Sequence, residues 1–176
     1  MKNILILIFL PLEIFAQQPA EYNASTMPAR TATVFNVMDY GAKGIGARHD
    51  DTDAFQAAIK AAIEVHGKVI IPSPPTFYNL TNTIEIIPAK GAQCYLNIEA
   101  WGHTVTQIRY TGPGDRPVFK VIGLKSSIIS GVKVVIAAGP SNIQVWDIDT
   151  NSECESTSHV TFKSCIANLG DGVNNV

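Results

Sequence analysis

One stretch near the start of the chain, Val37 to Tyr78, constrains the fold most, because it carries three local signals in a fixed order. A glycine-rich segment, Asp39 to Gly46, is followed by apolar residues that recur at helical spacing on one face. That face consists of Phe55, Ala58, Ile59, Ala62 and Ile63. The largely apolar run Lys68 to Pro72 comes next. The order predicts a short strand, a turn, a helix over about Thr52 to Val65 and a buried strand.

The two ends of this helix carry their own signals. Asp50, Asp51 and Thr52 stand at its start, where a side-chain oxygen can accept a free backbone N–H and negative charge suits the helix dipole. Gly67 is predicted to end the helix, as a residue that readily adopts positive φ. The acids within His49 to Asp53 also suggest a cation site, since hard ions bind several carboxylate oxygens. Helix capping explains them with fewer assumptions.

After Pro75 the chain becomes a succession of short β-branched runs separated by Gly, Pro, Asn and Ser, which is typical of strands joined by turns. The predicted strands are Thr83–Ile87, Tyr95–Ala100, Gln107–Tyr110, Val118–Ile122, Ser127–Ile136, Ile143–Ile148 and His159–Asn168. No second long amphipathic pattern follows, which argues against a doubly wound α/β fold. A β-sandwich and a solenoid are both consistent with strands of this length.

A weak internal repeat favours the solenoid. The segment Ile128–Val134 can be aligned with Val160–Ile166, at an offset of 32 residues (160 − 128 = 32). Repeats of this length are typical of solenoids, in which each coil buries its apolar side chains against the next. The helix near the start of the chain agrees with this interpretation, because it can cover the apolar end of such a stack.

The segments Asp39–Gly46 (Asp-Tyr-Gly-Ala-Lys-Gly-Ile-Gly), Asp50–Thr52 and Val69–Pro72 resemble the N-terminal segment of the pectate-lyase-like right-handed β-helix proteins, which include rhamnogalacturonases, epimerases and phage tailspikes. Ile45 stands where that family usually has Asp, and Ser73–Tyr78 is a looser version of its Pro-Gly-Thr-Tyr. The resemblance implies an all-β solenoid: a right-handed parallel β-helix with an N-terminal capping α-helix. It also places these residues in a structural role, away from the chemistry.

Export is expected from the first residues. Lys2 precedes the apolar run Ile4–Leu10, and Ala16 offers a small residue for cleavage, so residues 1–16 are predicted to be a signal peptide. The run is too short to span a bilayer, and no membrane span is expected once the signal is removed. Secretion, or transfer to a periplasm, follows from this prediction.

Residues 17–33 are predicted to be a flexible leader, and residues 34–176 the N-terminal part of a β-helix domain. The segment Gly170–Val176 resembles a turn into another coil, so we expect the solenoid to be truncated at the C-terminus and the catalytic residues to lie further on. Oligomeric state is left open by the sequence.

The net charge of −2 excludes an electrostatic nucleic-acid binder, because no basic patch is available to neutralise phosphates. The resemblance instead implies an acidic, pectin-like polysaccharide as partner, and a polysaccharide lyase or glycoside hydrolase as activity. A lyase of this kind could use calcium, or an Arg or Lys side chain, to hold the uronate carboxylate; no other cofactor is expected. A non-catalytic polysaccharide-binding, adhesion or tailspike-like module is the alternative, and the sequence leaves both classes open.

Three acids are candidates for catalysis. Asp147 and Asp149 are two residues apart, which on a strand places both on one face about 7 Å apart. Two carboxylates at that range could act as acid and base in an inverting hydrolysis. Solvated residues on an outer face would show the same spacing. Asp171, between two glycines, could be a base or a calcium ligand, but such a residue is commonly a turn-former.

Aromatic rings provide a further candidate surface. Trp101, Tyr110 and Trp146 could line a sugar-binding face, because flat rings stack on pyranose rings, but we favour ordinary core packing for any one of them.

The chain has three cysteines, Cys94, Cys154 and Cys165, an odd number that leaves at least one unpaired. Cys154 and Cys165 are near enough in sequence to form a disulfide. We favour small apolar fillers for all three, and their spacing gives no support for a metal site.

Overall fold

The computed structural model describes residues 33–89, 94–137, 143–149, 157 and 159–169, all of which belong to one unit, Ala32–Val176. Within these residues the chain forms one α-helix and short β-strands. The helix α1 is Thr52–Val65. The strands are β1 Val34–Asn36, β2 Lys68–Ile71, β3 Tyr78–Leu80, β4 Ile84–Ile86, β5 Asn97–Ala100, β6 Gln107–Tyr110, β7 Phe119–Ile122, β8 Ile128–Ser130, β9 Lys133–Ile136, β10 Trp146–Asp149, β11 Thr161–Lys163 and β12 Ile166–Leu169.

The strands pair in parallel throughout the described part of the chain and form three sheets. Their orders are β1-β2-β5-β8-β11, β10-β7-β4 and β12-β9-β6-β3. From β2 onward, consecutive strands therefore enter the three sheets in turn, and each strand pairs with the third strand after it. The fold is thus mostly parallel β-sheet with one α-helix, in agreement with the coarse prediction.

The register aligns apolar side chains from strand to strand. In the largest sheet Val69 pairs with Ile98, Ile98 with Ile129, and Ile129 with Phe162. Val69, Ile98 and Ile129 are buried. Because side chains alternate between the two faces of a strand, a register set at one buried position places every second residue of each neighbour inward. The core consequently lies between the inward faces of the sheets.

Local periodicity located several strands correctly. The predicted strand Gln107–Tyr110 is confirmed with both bounds as β6, while Thr83–Ile87, Tyr95–Ala100 and Val118–Ile122 are confirmed with shorter extents. The predicted strand Ile143–Ile148 begins later than expected, as β10. In each case the residues lost are at a boundary, where the apolar pattern continues into the adjoining turn.

Two long predicted strands are wrong as single elements. Ser127–Ile136 and His159–Asn168 each divide into two strands that belong to different sheets. The chain turns at Gly131 and Ser164, whose φ angles are 70° and 51°. A positive φ interrupts the extended backbone, so one β-branched run supplies two strands.

The internal repeat is present, but its predicted register is wrong by one residue. Ile128 pairs with Thr161 and Lys133 with Ile166, an offset of 33 (161 − 128 = 33) instead of 32. A slip of one residue would exchange the inward and outward faces of both strands. The observed register also aligns the two positive-φ corners, Gly131 and Ser164.

The helix α1 forms as predicted and covers the core with its apolar face. Phe55, Ala58, Ile59 and Ala62 are buried, and Ile63 is half-buried against them. The helix packs against β1, β2 and β4. The ring of Phe55 meets that of Tyr78 edge-on, with centroids 5.0 Å apart. Aromatic pairs in this arrangement contribute about 0.5–1.5 kcal/mol beyond the area they bury.

At the start of α1, Asp50 provides the capping bond. Its Oδ1 accepts hydrogen bonds from the backbone N–H and the hydroxyl of Thr52, at 3.0 and 2.5 Å. Its other carboxylate oxygen accepts one from the hydroxyl of Thr81. Although burial by itself raises it, these hydrogen bonds together hold the pKa of Asp50 below its ordinary value. The predicted capping role is therefore fulfilled by Asp50.

Asp51 is the N-cap residue of α1, but its side chain makes no capping bond, contrary to the prediction. Its fully buried carboxylate accepts backbone N–H groups from Lys43 at 2.7 Å, Gly44 at 3.3 Å and Asn79 at 3.0 Å. The ring of His49 lies 3.6 Å away. The backbone N–H of Asp51 donates in turn to the carbonyl of Asn79 at 2.8 Å. Asp51 thus joins the glycine-rich segment to β3.

The helix ends at Val65, as predicted, but the residue that terminates it is not the predicted one. His66, not Gly67, adopts the left-handed conformation, with φ of 54°. Gly67 is required for a different reason: a Cβ at this position would lie 2.6 Å from the ring of Phe35 and 2.7 Å from the carbonyl oxygen of Thr33. The close approach of Thr33 and Phe35 therefore excludes a side chain at position 67.

Replacing Phe55 by Ala should lower the free energy of unfolding by about 3–5 kcal/mol, the usual cost of truncating a buried aromatic residue. Denaturant unfolding followed by circular dichroism measures this. Ala57, on the exposed face of α1, offers a control: Ala57→Ser should change the free energy by no more than about 0.5 kcal/mol. A loss below that value for Phe55→Ala would show that its ring is not buried.

Replacing Asp51 by Ala should destabilise the fold by about 3 kcal/mol or more, since each buried backbone N–H left without an acceptor costs roughly 1–3 kcal/mol. Thermal and denaturant unfolding of this variant and of Asp39→Ala make the comparison. Asp39 is exposed, so removing its carboxylate should have little effect. Equal stability of the two variants would contradict the proposed junction.

Candidate functional site

The predicted acid pair lies on β10, the last strand of the three-stranded sheet. Asp147 and Asp149 alternate with Ile148, so both face away from the core, as the sequence suggested; Asp147 is half-buried and Asp149 exposed. Asp147 stands beside Lys120 of β7. Asp171, the third candidate, lies outside the described residues.

Strand pairing brings three charged residues into one line. Glu85 of β4 pairs with Lys120 of β7, and Lys120 pairs with Asp147 of β10. Because neighbouring strands lie about 4.8 Å apart, the backbones of Glu85 and Asp147 are separated by roughly 10 Å, with the lysine between them. We call these three residues the charged row. They lie on the outward face, since the residues flanking Glu85 and Lys120 in their strands are buried.

A cavity of about 570 Å³ adjoins this row, between the start of α1 and the three-stranded sheet. Its lining consists of Thr52, Asp53, Gln56, Asn82, Thr83, Glu85, Arg116, Pro117 and Lys120. We call it the charged groove. It combines two carboxylates with two cations, and within the described residues neither Arg116 nor Lys120 has a carboxylate within ion-pair distance. Its cations are therefore available to a ligand.

The walls of the charged groove are fixed by hydrogen bonds. The side-chain amide of Gln56 donates to the carbonyl of Glu85 and accepts its backbone N–H, both at 2.8 Å. The hydroxyl of Thr83 donates to the carbonyl of Pro117 at 2.6 Å. The first pair of bonds ties α1 to the free edge of β4, and the second ties β4 to the segment that precedes β7. The lining side chains thus project from a preformed frame.

Sequence reasoning missed Glu85, Arg116 and Lys120. They are distant along the chain, and only strand pairing brings them together. A usable signal was nevertheless present in two predicted strands, since Glu85 stands between two isoleucines and Lys120 between Phe119 and Val121. A charge between two apolar residues on a strand marks the outward face.

Of the three aromatic candidates, Trp101 alone offers its ring to solvent, with 65% of the residue exposed. Tyr110 is a core residue, 1% exposed, and burial raises its pKa. Trp146 stacks on Phe119, with centroids 4.4 Å apart and planes 14° from parallel. It also contacts the ring of Phe162 at 5.0 Å. A shared sugar-binding face built from all three is therefore wrong.

The cysteines that the structure describes carry free thiols. Cys94 is buried, its sulfur lies 3.8 Å from the carbonyl oxygen of Ile63, and burial raises the pKa of its thiol to about 11. It behaves as the apolar filler that the sequence predicted. Cys165 is half-buried. Cys154, the residue predicted as its possible disulfide partner, lies outside the described residues.

The described residues form neither a metal centre nor a membrane-spanning helix. No group of three or more His, Cys, Asp or Glu side chains is arranged there to hold a metal ion. The cluster His49–Asp53 accordingly serves the helix start and the loop junction, as its hydrogen bonds show. In the same part of the chain, no helix has the length and apolarity needed to cross a membrane.

Comparison with known proteins gives no match to a protein-family model and no match to a curated protein. Two solved structures are similar. ORF18 of Geobacillus virus E2 aligns with a TM-score of 0.48 and 23% identity, over 66% of this chain and 25% of that one. The Agl-KA catalytic domain aligns with a TM-score of 0.45 and 20% identity, over 82% of this chain and 34% of that one. The chain thus spans between a quarter and about a third of these structures, and a likeness at this level carries no functional argument.

The stability of the protein should fall as the pH rises from about 9 toward 11. The ordinary pKa of the thiol is 9.0, and burial raises that of Cys94 to about 11, so in this range the unfolded chain loses a proton that the folded chain keeps. The loss is at most about 1.4 kcal/mol per pH unit. Denaturant unfolding at pH 8, 9 and 10, for the wild type and Cys94→Ala, isolates this contribution. Parallel losses in the two proteins would contradict it.

Proposed function

We propose that the chain forms a right-handed parallel β-helix capped by α1 and belongs with the pectate-lyase-like proteins. Three observations support this: consecutive strands enter three parallel sheets in turn, each strand pairs with the third strand after it, and α1 packs over β1, β2 and β4. Asp51 also accepts hydrogen bonds from Lys43 and Gly44. These bonds link Asp39–Gly46 to Asp50–Thr52, two of the segments on which the resemblance rests.

We further propose that the protein is an exported, carbohydrate-active protein that acts on an acidic, pectin-like polysaccharide as a polysaccharide lyase or glycoside hydrolase. The charged row carries this proposal, because it presents a cation between two carboxylates on one outward face. Lys120 would hold a uronate carboxylate, and Glu85 and Asp147 would supply an acid and a base. Export, to a periplasm or outside the cell, is proposed from residues 1–16 alone.

Both reaction types can use this arrangement. In hydrolysis with inversion, one carboxylic acid protonates the leaving oxygen while a carboxylate about 6.5–9.5 Å away activates water. A backbone separation of roughly 10 Å between Glu85 and Asp147 is compatible with that range once their side chains are added. In elimination, a base removes the proton α to the uronate carboxyl, and a cation stabilises the negative charge that develops on that carboxyl. The bond from the β carbon to the glycosidic oxygen then breaks, and an acid protonates the leaving oxygen.

A calcium ion would suit a lyase of this type, where it would neutralise the substrate carboxylate. The described residues do not fit such an ion, since no three candidate ligands converge among them. The proposal therefore assigns no calcium ligand and uses no calcium-dependent step.

A non-catalytic polysaccharide-binding, adhesion or tailspike-like module is the second candidate, and the exposed ring of Trp101 favours it. An indole that is 65% exposed can stack on a sugar ring without any chemistry. Trp101 follows β5, in a different sheet from the charged row, so the two surfaces can be tested separately.

Incubating the full chain with polygalacturonate, with and without calcium, should release unsaturated uronides if it is a lyase, or reducing ends if it is a hydrolase. Asp147→Asn should lower the rate at least about 100-fold, since general acid–base catalysis contributes that much or more. Lys163→Gln removes an exposed lysine from another sheet and should leave the rate unchanged.

Absence of product from the wild type would exclude catalysis by this chain. Cosedimentation with insoluble polysaccharide that is lost in Trp101→Ala would then support the binding module. An active wild type with an equally active Asp147→Asn variant would remove the charged row from the chemistry.

A further inference from the structure

We infer that α1 is one wall of the substrate cleft, and that a uronate oligosaccharide lies along this helix with its carboxylates at two separate cationic positions. Arg116 and Lys120 form the first position and Lys60 the second. The inference rests on the proposed function for the class of ligand. It assigns to the helix a second role that the sequence resemblance, which made the helix purely structural, does not contain.

The first observation is a second cavity, of about 360 Å³, further along α1 than the charged groove. Its lining consists of Gln56, Lys60, Ile63, Glu64, Glu85, Ile87, Pro88 and Ala89. Gln56 and Glu85 line both cavities, so the two lie on either side of the hydrogen-bonded junction between α1 and β4. We call the two cavities and the junction between them the helix cleft.

The direction of the helix cleft follows from the residues along its two sides. Asp53, Gln56 and Lys60 line it from the helix, at spacings that put all three on one face. Thr83 lines the first cavity and Ile87 the second, so β4 and its continuation run in the same direction as α1. At a rise of 1.5 Å per residue, Asp53 and Lys60 are about 10 Å apart along the helix axis. An extended ligand therefore fits better than a compact one.

The chemistry of the lining matches an acidic sugar chain. Arginine and lysine side chains only donate hydrogen bonds, and they bind carboxylates strongly because the bond is charge-assisted. The carboxylates of Asp53 and Glu85 in the first cavity, and of Glu85 and Glu64 in the second, only accept hydrogen bonds, which suits sugar hydroxyls. Ile63, Ile87 and Pro88 add an apolar strip for the C–H surfaces of a sugar ring.

The described part of the chain gives the cations of the helix cleft no carboxylate partner within ion-pair distance. Among the described residues, Lys60, Arg116 and Lys120 lie in no ion pair, whereas Lys68 on the opposite sheet is paired with Glu99. A neutral sugar offers these cations only hydroxyl oxygens, without the opposite charge of a carboxylate. We therefore expect the helix cleft to discriminate by charge.

Calorimetric titration of the full chain tests the inference with three probes: galacturonic acid, tetragalacturonate, and a neutral galactose tetramer. Tetragalacturonate should bind at least about tenfold more tightly than the neutral tetramer, the effect of one charge-assisted contact. Arg116→Gln and Lys120→Gln should each weaken binding of tetragalacturonate about tenfold. Lys60→Gln should weaken binding of tetragalacturonate to a similar extent. It should leave binding of galacturonic acid unaffected, because the monomer occupies only the first position.

Lys43→Gln and Lys163→Gln remove exposed lysines outside the cleft and should leave every affinity unchanged. All variants should keep the wild-type unfolding midpoint, which separates lost contacts from lost structure. If tetragalacturonate binds but the affinity survives Lys60→Gln and Arg116→Gln, the helix cleft is not the site, while the proposed function stands. If the wild type binds no uronate oligomer, both fail. If the neutral tetramer binds as tightly as tetragalacturonate, the helix cleft does not recognise its ligand by charge.

Discussion

The structure depends on a buried carboxylate. Asp51 accepts three backbone N–H groups, from Lys43, Gly44 and Asn79, and so holds together a loop, the start of α1 and strand β3. A charge buried this completely is tolerated only when its acceptor capacity is used. Gly44 is confined by the same junction: its φ is 60°, and a Cβ would lie 2.4 Å from Cβ of Pro74. The glycine-rich segment therefore contacts the Asp50–Asp51 pair directly. This contact orients α1 over the first strands.

Local patterns were enough to predict the helix, its buried face and the strand β2, because each is fixed by the spacing of apolar residues within a few turns or pleats. The separate roles of Asp50 and Asp51 could not be predicted. Either carboxylate satisfies the capping pattern, and only the position of Asn79 distinguishes them. The repeat register failed for a related reason. Ile128 and Ile129 are equally apolar, so apolarity alone does not distinguish the two registers. Aligning Gly131 with Ser164, both residue types that favour turns, would have given the observed offset.

The candidate site could likewise be predicted only where its residues belong to one strand. Asp147 and Asp149 could be predicted to share a face because both belong to one strand. The charged row could not, since its members are separated by unequal intervals of 35 (120 − 85 = 35) and 27 (147 − 120 = 27) residues. A search for a repeat of fixed length would have missed both pairings, that of Glu85 with Lys120 and that of Lys120 with Asp147. Their alignment is set instead by loops of different length between strands that pair in a common register.

The two faces of α1 explain how one helix can both close the core and border a cleft. Phe55 and Ile59 bury its inner face, while Gln56 uses its side-chain amide to occupy the N–H and carbonyl of Glu85 at the free edge of β4. An open parallel edge is otherwise a template for pairing with another strand. With that edge occupied, a ligand beside α1 meets side chains instead of backbone groups, so recognition there depends on the charge and shape of residues such as Lys60. The interaction that protects the sheet edge is thus also the one that leaves a side-chain-lined cleft.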